Sequence, residues 1–144
     1  MKSILSLLNP VVVLLANSPL HFLFSHSIVV LNVRGARSGK MYVIPVSYLK
    51  TKSGIICMTE RAGLWWKNLA HEQQLDIQLA GKRVSASVNV EKEDVGIIAT
   101  ALEKFCRNSR ASAYFAHVAL VDGQPKTQDI DAAAPKHVLI ELTF

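Results

Sequence analysis

The sequence predicts a mainly β protein with helices, an α+β fold built on an antiparallel barrel of about six strands. Apolar, β-branched runs bounded by turn residues recur along the chain, as strands require, and they cover 28–33, 41–50, 54–59, 75–79, 84–90 and 137–143. Short turns join most consecutive runs, and few segments are long enough for crossover helices, which favours hairpins over a doubly wound sheet. A chain of 144 residues, 50% of them apolar, is large enough for one domain with a sizeable core.

An apolar helical arm, residues 1–27, is predicted ahead of the barrel domain, residues 28–144. Two proline-containing pairs, each typical of a helix start, predict short helices over 10–16 and 19–25. The apolar run 4–16 is too short to span a bilayer and lacks the cleavage site of a signal peptide. We expect the arm to pack on the domain or on a partner subunit, and peripheral membrane contact is the alternative.

The loop between the first two strands gathers two glycines, three cations and a serine between Arg34 and Lys40. Because glycine permits positive φ, Gly35 and Gly39 are expected to turn backbone N–H groups toward one point. Side-chain donors would surround that point, and they are Arg34, Arg37, Ser38 and Lys40. The loop is therefore predicted to hold the anionic part of a cofactor, the alternative being a solvated turn.

Two known nucleotide-binding patterns do not match this loop. Three residues, not four, separate Gly35 from Gly39, and Met41 stands where the P-loop needs a serine or threonine. The dinucleotide fingerprint needs a third glycine that opens a helix, whereas this loop opens a strand.

Charge is distributed unevenly along the chain. Residues 1–59 contain six cations and no acid, whereas residues 60–144 contain ten cations and eleven acids, which together give the net charge of +5. The excess of positive charge is thus confined to the part of the chain that contains the loop, which favours an anionic ligand bound locally at the loop. Nucleic acid is not an expected partner, because it calls for a longer basic face with interleaved aromatic residues.

The cysteines and histidines do not form a metal-binding pattern. Cys57 and Cys106 lie in apolar surroundings without a second cysteine at ligand spacing, and the five histidines are scattered. We expect buried, reduced thiols, no metal and a cytoplasmic location, with membrane association through the arm as the alternative.

Pro45 lies within the second strand, and because proline cannot donate to a ladder it marks an edge or a bulge. Helical segments are predicted by their composition and spacing, and they cover 64–73, 91–107, 110–118 and 129–134.

The middle helix, predicted over 64–73, opens with Trp65-Trp66-Lys67-Asn68. A helix N-terminus has free N–H groups and a positive dipole end, and paired indoles add flat apolar surface beside them. That combination suits a conjugated ring attached to a phosphate chain. Core packing of the indoles is the alternative, and one of the two is expected to line a ligand rather than both.

Taken together, these motifs resemble the deazaflavin-dependent nitroreductase and quinone reductase family of the split-barrel flavin-binding superfamily. The resemblance is carried by Ser18-Pro-Leu-His21, Gly35-Ala-Arg-Ser-Gly39 with Tyr42, Pro45-Val-Ser-Tyr48, Trp65-Trp-Lys-Asn-Leu69 and the hairpin at Gly81. It implies a split barrel of the FMN-binding type that pairs as a homodimer, with cofactors near the subunit boundary.

The resemblance also implies cofactor-binding roles for nine residues, which are Arg37, Ser38, Gly39, Lys40, Pro45, Val46, Trp65, Lys67 and Asn68. The implied cofactor is the deazaflavin coenzyme F-420. The chain has Tyr42 where the nitroreductase branch has arginine, and Glu72-Gln73 where that branch has Asn-Pro. FMN is therefore the alternative cofactor, and haem, which related barrels bind, is a further one.

The implied activity is transfer of hydride to a small-molecule acceptor, which would be a quinone, a nitro compound or an activated alkene. The cofactor ring carries the hydride in such enzymes, so an acid–base dyad is not required. Tyr48 and Tyr114 are candidates for a proton donor or an orienting hydroxyl, with packing as their alternative role. Two other hypotheses stay open: a non-catalytic flavin or haem carrier or sensor, and a membrane-associated interaction protein.

Overall fold

A computed structural model describes residues 28–144, including all side chains of that range except those of Ala111 and Phe115. Its main strands are β1 (Ile28–Arg34), β2 (Met41–Lys50), β3 (Gly54–Glu60), β4 (Gln74–Leu79), β5 (Lys82–Glu91) and β8 (His137–Thr143), and two short strands are β6 (Leu120–Val121) and β7 (Gln124–Pro125). The six main strands close into a barrel in the order β1-β2-β3-β8-β5-β4, and all pairings are antiparallel. The predicted fold class is confirmed. The predicted arm, 1–27, with its helices over 10–16 and 19–25, lies outside the described residues.

The hairpin of β1 and β2 is long, but the pairing of β2 with β3 is short. All seven residues of β1 pair with β2, from Ile28 opposite Ser47 to Arg34 opposite Met41. Pairing between β2 and β3 is confined to residues 48–50 of β2. Pro45 therefore lies where β2 has a barrel strand on one side only, and its missing N–H removes no bond from the β2–β3 ladder. The prediction that Pro45 marks an edge is confirmed.

The barrel interior is filled by alternate residues of all six strands, because successive side chains of a strand point to opposite faces. The largest of these fully buried residues are Leu31, Ile55, Leu75, Ile77, Ile140 and Leu142. Cys57 and Tyr48 belong to the same cluster, and so does Trp66 from outside the strands. The expectation of a buried Cys57 is confirmed, and Cys106 is buried as well, on a helix and within the cluster that packs the helices together.

Within residues 28–144, three α-helices lie outside the barrel: α1 (Val95–Asn108), α2 (Arg110–Phe115) and α3 (Thr127–Ala133). Ile98 and Ala101 of α1 pack on Leu139, which points outward from β8. The helices predicted over 91–107, 110–118 and 129–134 are therefore confirmed with shifted ends. The first begins later than predicted, because Glu91 still belongs to β5 and Asp94 caps the helix.

The helix predicted over 64–73 is wrong in its length. Only a single turn of 3-10 helix forms, Trp65–Asn68, and Leu69 is already extended. Backbone bonds explain why the turn does not continue, since the Glu72 N–H donates to the Val88 carbonyl and the Val88 N–H donates to the Gln73 carbonyl. Pairing with β5 therefore takes the backbone groups that a longer helix would need.

Among residues 28–144 no helix combines the length and the hydropathy that crossing a bilayer demands.

Candidate functional site

The loop from Gly35 to Lys40 closes the β1–β2 hairpin and is held together by its own hydrogen bonds. The Gly35 N–H donates to the Lys40 carbonyl at 2.7 Å, and the Gly39 N–H donates to the Gly35 carbonyl at 2.9 Å. The Arg34 guanidinium donates to the Gly39 carbonyl at 2.9 Å. Gly39 has a φ of +70°, a conformation that favours glycine. One of the three loop cations is thus used to shape the loop.

The prediction that the loop turns its N–H groups toward one point is wrong. Besides Gly35 and Gly39, the Lys40 N–H is also engaged, because it donates to Ser38 Oγ at 3.2 Å. Gly35 is not in the positive-φ region, and its role is close approach. A Cβ there would lie 2.7 Å from Ser38 Oγ and 2.9 Å from the Tyr42 ring. The donors left to a ligand are therefore mainly side chains, together with the N–H groups of Arg37 and Ser38.

The loop is tied to the 3-10 turn by one asparagine. The Ala36 N–H donates to Asn68 Oδ1 at 3.0 Å, and Asn68 Nδ2 donates to the Trp65 carbonyl at 3.1 Å. Two segments 32 residues apart in sequence thus meet at one side chain. The structure therefore brings Arg37, Ser38, Gly39 and Lys40 together with the turn that carries Trp65, Lys67 and Asn68. Asn68 therefore fixes the position of the loop relative to the turn.

The two tryptophans of the turn differ in exposure. Trp66 is 7% exposed, packs in the barrel core and donates its indole N–H to the Arg61 carbonyl at 3.1 Å. Trp65 is half-buried and packs on the edge of the same cluster. The ammonium of Lys67 lies 5.8 Å from the centre of the Trp66 ring, which is a cation–π distance. Trp65 is thus the indole available to border a ligand.

Three cations near this junction have no acidic partner. Arg37, Lys40 and Lys67 are exposed, and none of them forms an ion pair with any residue of 28–144. Apolar side chains lie exposed in the same region of the sequence, with Met41 at 51% and Leu64 at 65%. The junction therefore offers unpaired positive charge beside apolar surface, which suits the anionic end of an amphipathic molecule.

The remaining predicted site residues are not on the loop. Pro45 and Val46 are half-buried in β2, and Val46 packs against the barrel core. Tyr48 is 5% exposed inside the core, and its burial, with a smaller contribution from Cys57, raises the pKa of its hydroxyl. Tyr114 is 76% exposed on α2, which packs against α1. Neither tyrosine is positioned among the loop and turn residues.

Two sizeable pockets lie away from the loop. One, of about 540 Å³, lies between α1 and the ends of β3 and β8. The other, of about 670 Å³, adjoins the end of β3 and contains His137 and Arg61, which the sequence did not single out. Neither pocket is lined by residues 34–40 or 65–68. Among residues 28–144 the loop and the turn therefore lie apart from both of these pockets.

The fold and the site define the chain as a six-stranded antiparallel barrel protein with a cationic loop fixed to an aromatic turn. No protein-family model matches the chain, and no curated protein matches it in sequence. Among solved structures, it is similar to HutZ, the haem storage protein from Vibrio cholerae, with 15% identity, a TM-score of 0.49, and coverage of 88% of this chain and 89% of that one. It is also similar to a protein of unknown function from Agrobacterium tumefaciens strain C58, with 10% identity, a TM-score of 0.47, and coverage of 90% of this chain and 58% of that one. Likenesses this distant do not identify a ligand.

Proposed function

We propose that the chain binds a redox cofactor of the flavin type through its anionic tail, at the junction of the 35–40 loop and the 65–68 turn. The observation that carries the proposal is the bond from the Ala36 N–H to Asn68 Oδ1, 3.0 Å long. This hydrogen bond joins the loop to the turn, so the cations without an acidic partner and the half-buried indole of Trp65 belong to one junction rather than to two separate surface turns.

The residues of the junction fit the anionic end of such a cofactor. The guanidinium of Arg37 can bind a phosphate with two hydrogen bonds, and Lys40 and Lys67 supply point charges. A Cβ built on Gly39 would meet no atom of residues 28–144 within 4 Å, so these residues leave the space beside it open to a ligand. Trp65 offers a flat apolar face for the part of the cofactor next to the phosphate.

A non-catalytic carrier or sensor is the version of this function that the geometry supports most directly. Within residues 28–144, the two hydroxyls predicted as proton donors lie elsewhere: Tyr48 is inside the barrel and Tyr114 is on α2. Binding of a flavin, a deazaflavin or haem does not require either hydroxyl.

An oxidoreductase is the second candidate, favoured by the exposed apolar side chains Met41, Tyr42 and Leu64. They would give an apolar quinone, nitro compound or alkene a surface to bind next to the junction. A bound deazaflavin or flavin would supply the hydride. This chain's residues would hold the cofactor tail and keep water from its ring.

Titration of the full-length protein with F-420, FMN and haem, followed by fluorescence or absorbance, tests the proposal. We expect saturable binding of at least one of them. Arg37→Ala should weaken that binding by about 1–3 kcal/mol, roughly 5- to 150-fold, because a charge-assisted contact to the phosphate is lost. Arg83→Ala, which removes an exposed arginine from β5, is the matched control and should bind like the wild type.

Two outcomes would contradict the binding proposal: no affinity for any of the three compounds, or equal losses with the two arginine variants. Turnover then separates the two candidates. A protein that binds the reduced cofactor and oxidises it with quinones or nitro compounds is an oxidoreductase. A protein that binds it without turnover is a carrier or sensor.

A further inference from the structure

The pocket at the end of β3 is separate from the loop junction and has the size of a small-molecule site. Its volume is about 670 Å³, within the range that drug-sized ligands occupy. Its apolar wall consists of small side chains, which are Ala62, Ala116, Ala132, Ala133 and Pro135. None of the nine residues predicted to bind a cofactor lines it.

His137 lines this pocket and carries a hydrogen-bond acceptor. It begins β8, is 9% exposed and lines the pocket, and its Nδ1 lies 2.8 Å from the Ala133 carbonyl oxygen. Because a carbonyl oxygen can only accept, Nδ1 carries the hydrogen, and Nε2 of the neutral ring is an acceptor.

The same ring nitrogen keeps some accessible surface. Within residues 28–144 Nε2 of His137 has no hydrogen-bond partner. No fully buried side-chain nitrogen or oxygen in that range lacks a partner, so Nε2 must retain some accessible surface. An imidazole fixed at Nδ1 with its Nε2 lone pair open is ready to receive a donor from a ligand.

The charges around the pocket do not select an ion. Two cations, Arg61 and Lys136, are matched by two carboxylates, Glu60 and Asp129, and the other titratable group of the lining besides His137 is the exposed His117. The Arg61 guanidinium is held by three backbone carbonyl oxygens, and Asp129 Oδ2 accepts a backbone N–H at 2.9 Å. Glu60 and Lys136 are exposed. No group of three metal-binding side chains is present among the described residues. The interior thus favours an uncharged ligand.

We propose that this pocket binds a neutral aromatic alcohol of the phenol class, whose hydroxyl donates to Nε2 of His137. The ring would replace water against the alanine wall, and the hydroxyl would satisfy the histidine acceptor. The proposal is independent of the cofactor junction, because the two sites share no residue.

Two probes of nearly the same shape test the proposal: p-cresol, which has the hydroxyl donor, and 4-methylanisole, which lacks it. Each is titrated into the full-length protein at pH 8 and followed by NMR of the backbone amides and of the histidine ring nitrogens. We expect p-cresol to bind in roughly the millimolar range, as for a ligand of this size. The methyl ether should bind about three- to tenfold more weakly. Only p-cresol should shift the Nε2 resonance of His137.

Substitutions at His137 separate its two nitrogens. His137→Asn retains a donor near Ala133 but removes the pocket acceptor, so its affinity for p-cresol should fall to that for the methyl ether. His137→Gln can place an amide oxygen near the Nε2 position and should recover part of the loss. His71→Ala changes an exposed histidine outside the pocket and should behave like the wild type.

The proposal is overturned if p-cresol does not bind at 20 mM or so, if both probes bind equally, or if the shifted amides lie outside the pocket. Should His137→Asn fail to fold, the comparison of the two probes on the wild-type protein decides by itself.

Discussion

Gly54 is the residue whose lack of a side chain matters most to the barrel. It opens β3 opposite Thr143 of β8, and a Cβ built on it would lie 1.9 Å from the Leu142 carbonyl oxygen. Since that atom belongs to the backbone of the partner strand, no side-chain rotation can relieve the contact. Gly54→Ala should therefore destabilise the protein by about 2–3 kcal/mol, measured by urea denaturation. Ser53→Ala, at the neighbouring exposed turn, should stay within about 0.5 kcal/mol of the wild type. Equal stabilities of the two variants would contradict this assignment.

Cys57 should make the protein less stable at alkaline pH. The thiol is fully buried, and this burial raises its pKa well above the ordinary value. At pH values between the pKa of the thiol in the unfolded state and its pKa in the folded state, the unfolded state binds fewer protons than the folded state. The contribution of the thiol to the free energy of unfolding is therefore fully present below about pH 8.5 and is lost as the pH rises. Cys57→Ala removes this proton linkage, and its free energy of unfolding should decline less steeply above pH 9, by up to about 1.4 kcal/mol per pH unit. Urea denaturation from pH 7 to 10.5 under reducing conditions measures the slopes.

Ile55→Val is a suitable control for that experiment, because it weakens the same core without removing a titrating group. Its pH profile should run parallel to that of the wild type. If the Cys57→Ala profile is also parallel, the buried thiol does not contribute to the pH dependence.

At the scale of secondary-structure elements, α1 depends on its first turn. Asp94 precedes the helix, and its Oδ1 accepts the Ile97 N–H at 3.1 Å, which satisfies one of the otherwise unpaired donors there. Asp94→Ala should cost about 1 kcal/mol, and Asp94→Asn should recover most of it, because asparagine caps as well as aspartate. Glu93→Ala alters a neighbouring exposed acid whose side chain does not cap the helix. A stability loss in Glu93→Ala equal to that in Asp94→Ala would refute the cap.

Elements with a local cause were predictable from the sequence, and elements set by distant contacts were not. Alternation predicted the strands because each buries one face, and Pro45 predicted an edge because its missing N–H is a local property. The turn at 65–68 could not be limited to four residues from sequence, since Glu72 and Gln73 leave the helix to pair with Val88. In the same way, nothing near His137 indicates its pocket, whose walls come from segments far apart along the chain.

The candidate site illustrates the same limit. Loop composition predicted that cations gather in this loop, and Arg37 and Lys40 are exposed there. Which residues of the loop form its internal hydrogen bonds, and which remain for a ligand, depends on the folded geometry and cannot be read from composition. Arg34 is used to hold Gly39, and Asn68, predicted to bind the cofactor, also accepts the Ala36 N–H. A sequence pattern can thus indicate which residues gather, while the hydrogen bonds decide which of them are left for a ligand.

At the scale of the whole molecule, the homodimer predicted from the sequence would cover apolar side chains that lie exposed beside the loop and the turn. Met41 and Leu64 are the apolar side chains to be buried, being 51% and 65% exposed. In a two-fold symmetric dimer each residue occurs twice, so one substitution acts at two places. Leu64→Glu should raise the dimer dissociation constant at least about tenfold, since it replaces apolar burial with two charges. Sedimentation of the full chain over a range of concentrations measures this dissociation constant.

Val121→Glu is the control: it changes a similarly exposed residue on β6, at 59%, and should leave the dimer dissociation constant unchanged. The prediction is contradicted if the wild-type protein stays monomeric at all concentrations, or if the two variants dissociate alike. This surface would then not be a dimer interface. The cofactor would then have to bind at an open junction on a single chain, where added salt should weaken its phosphate contacts strongly.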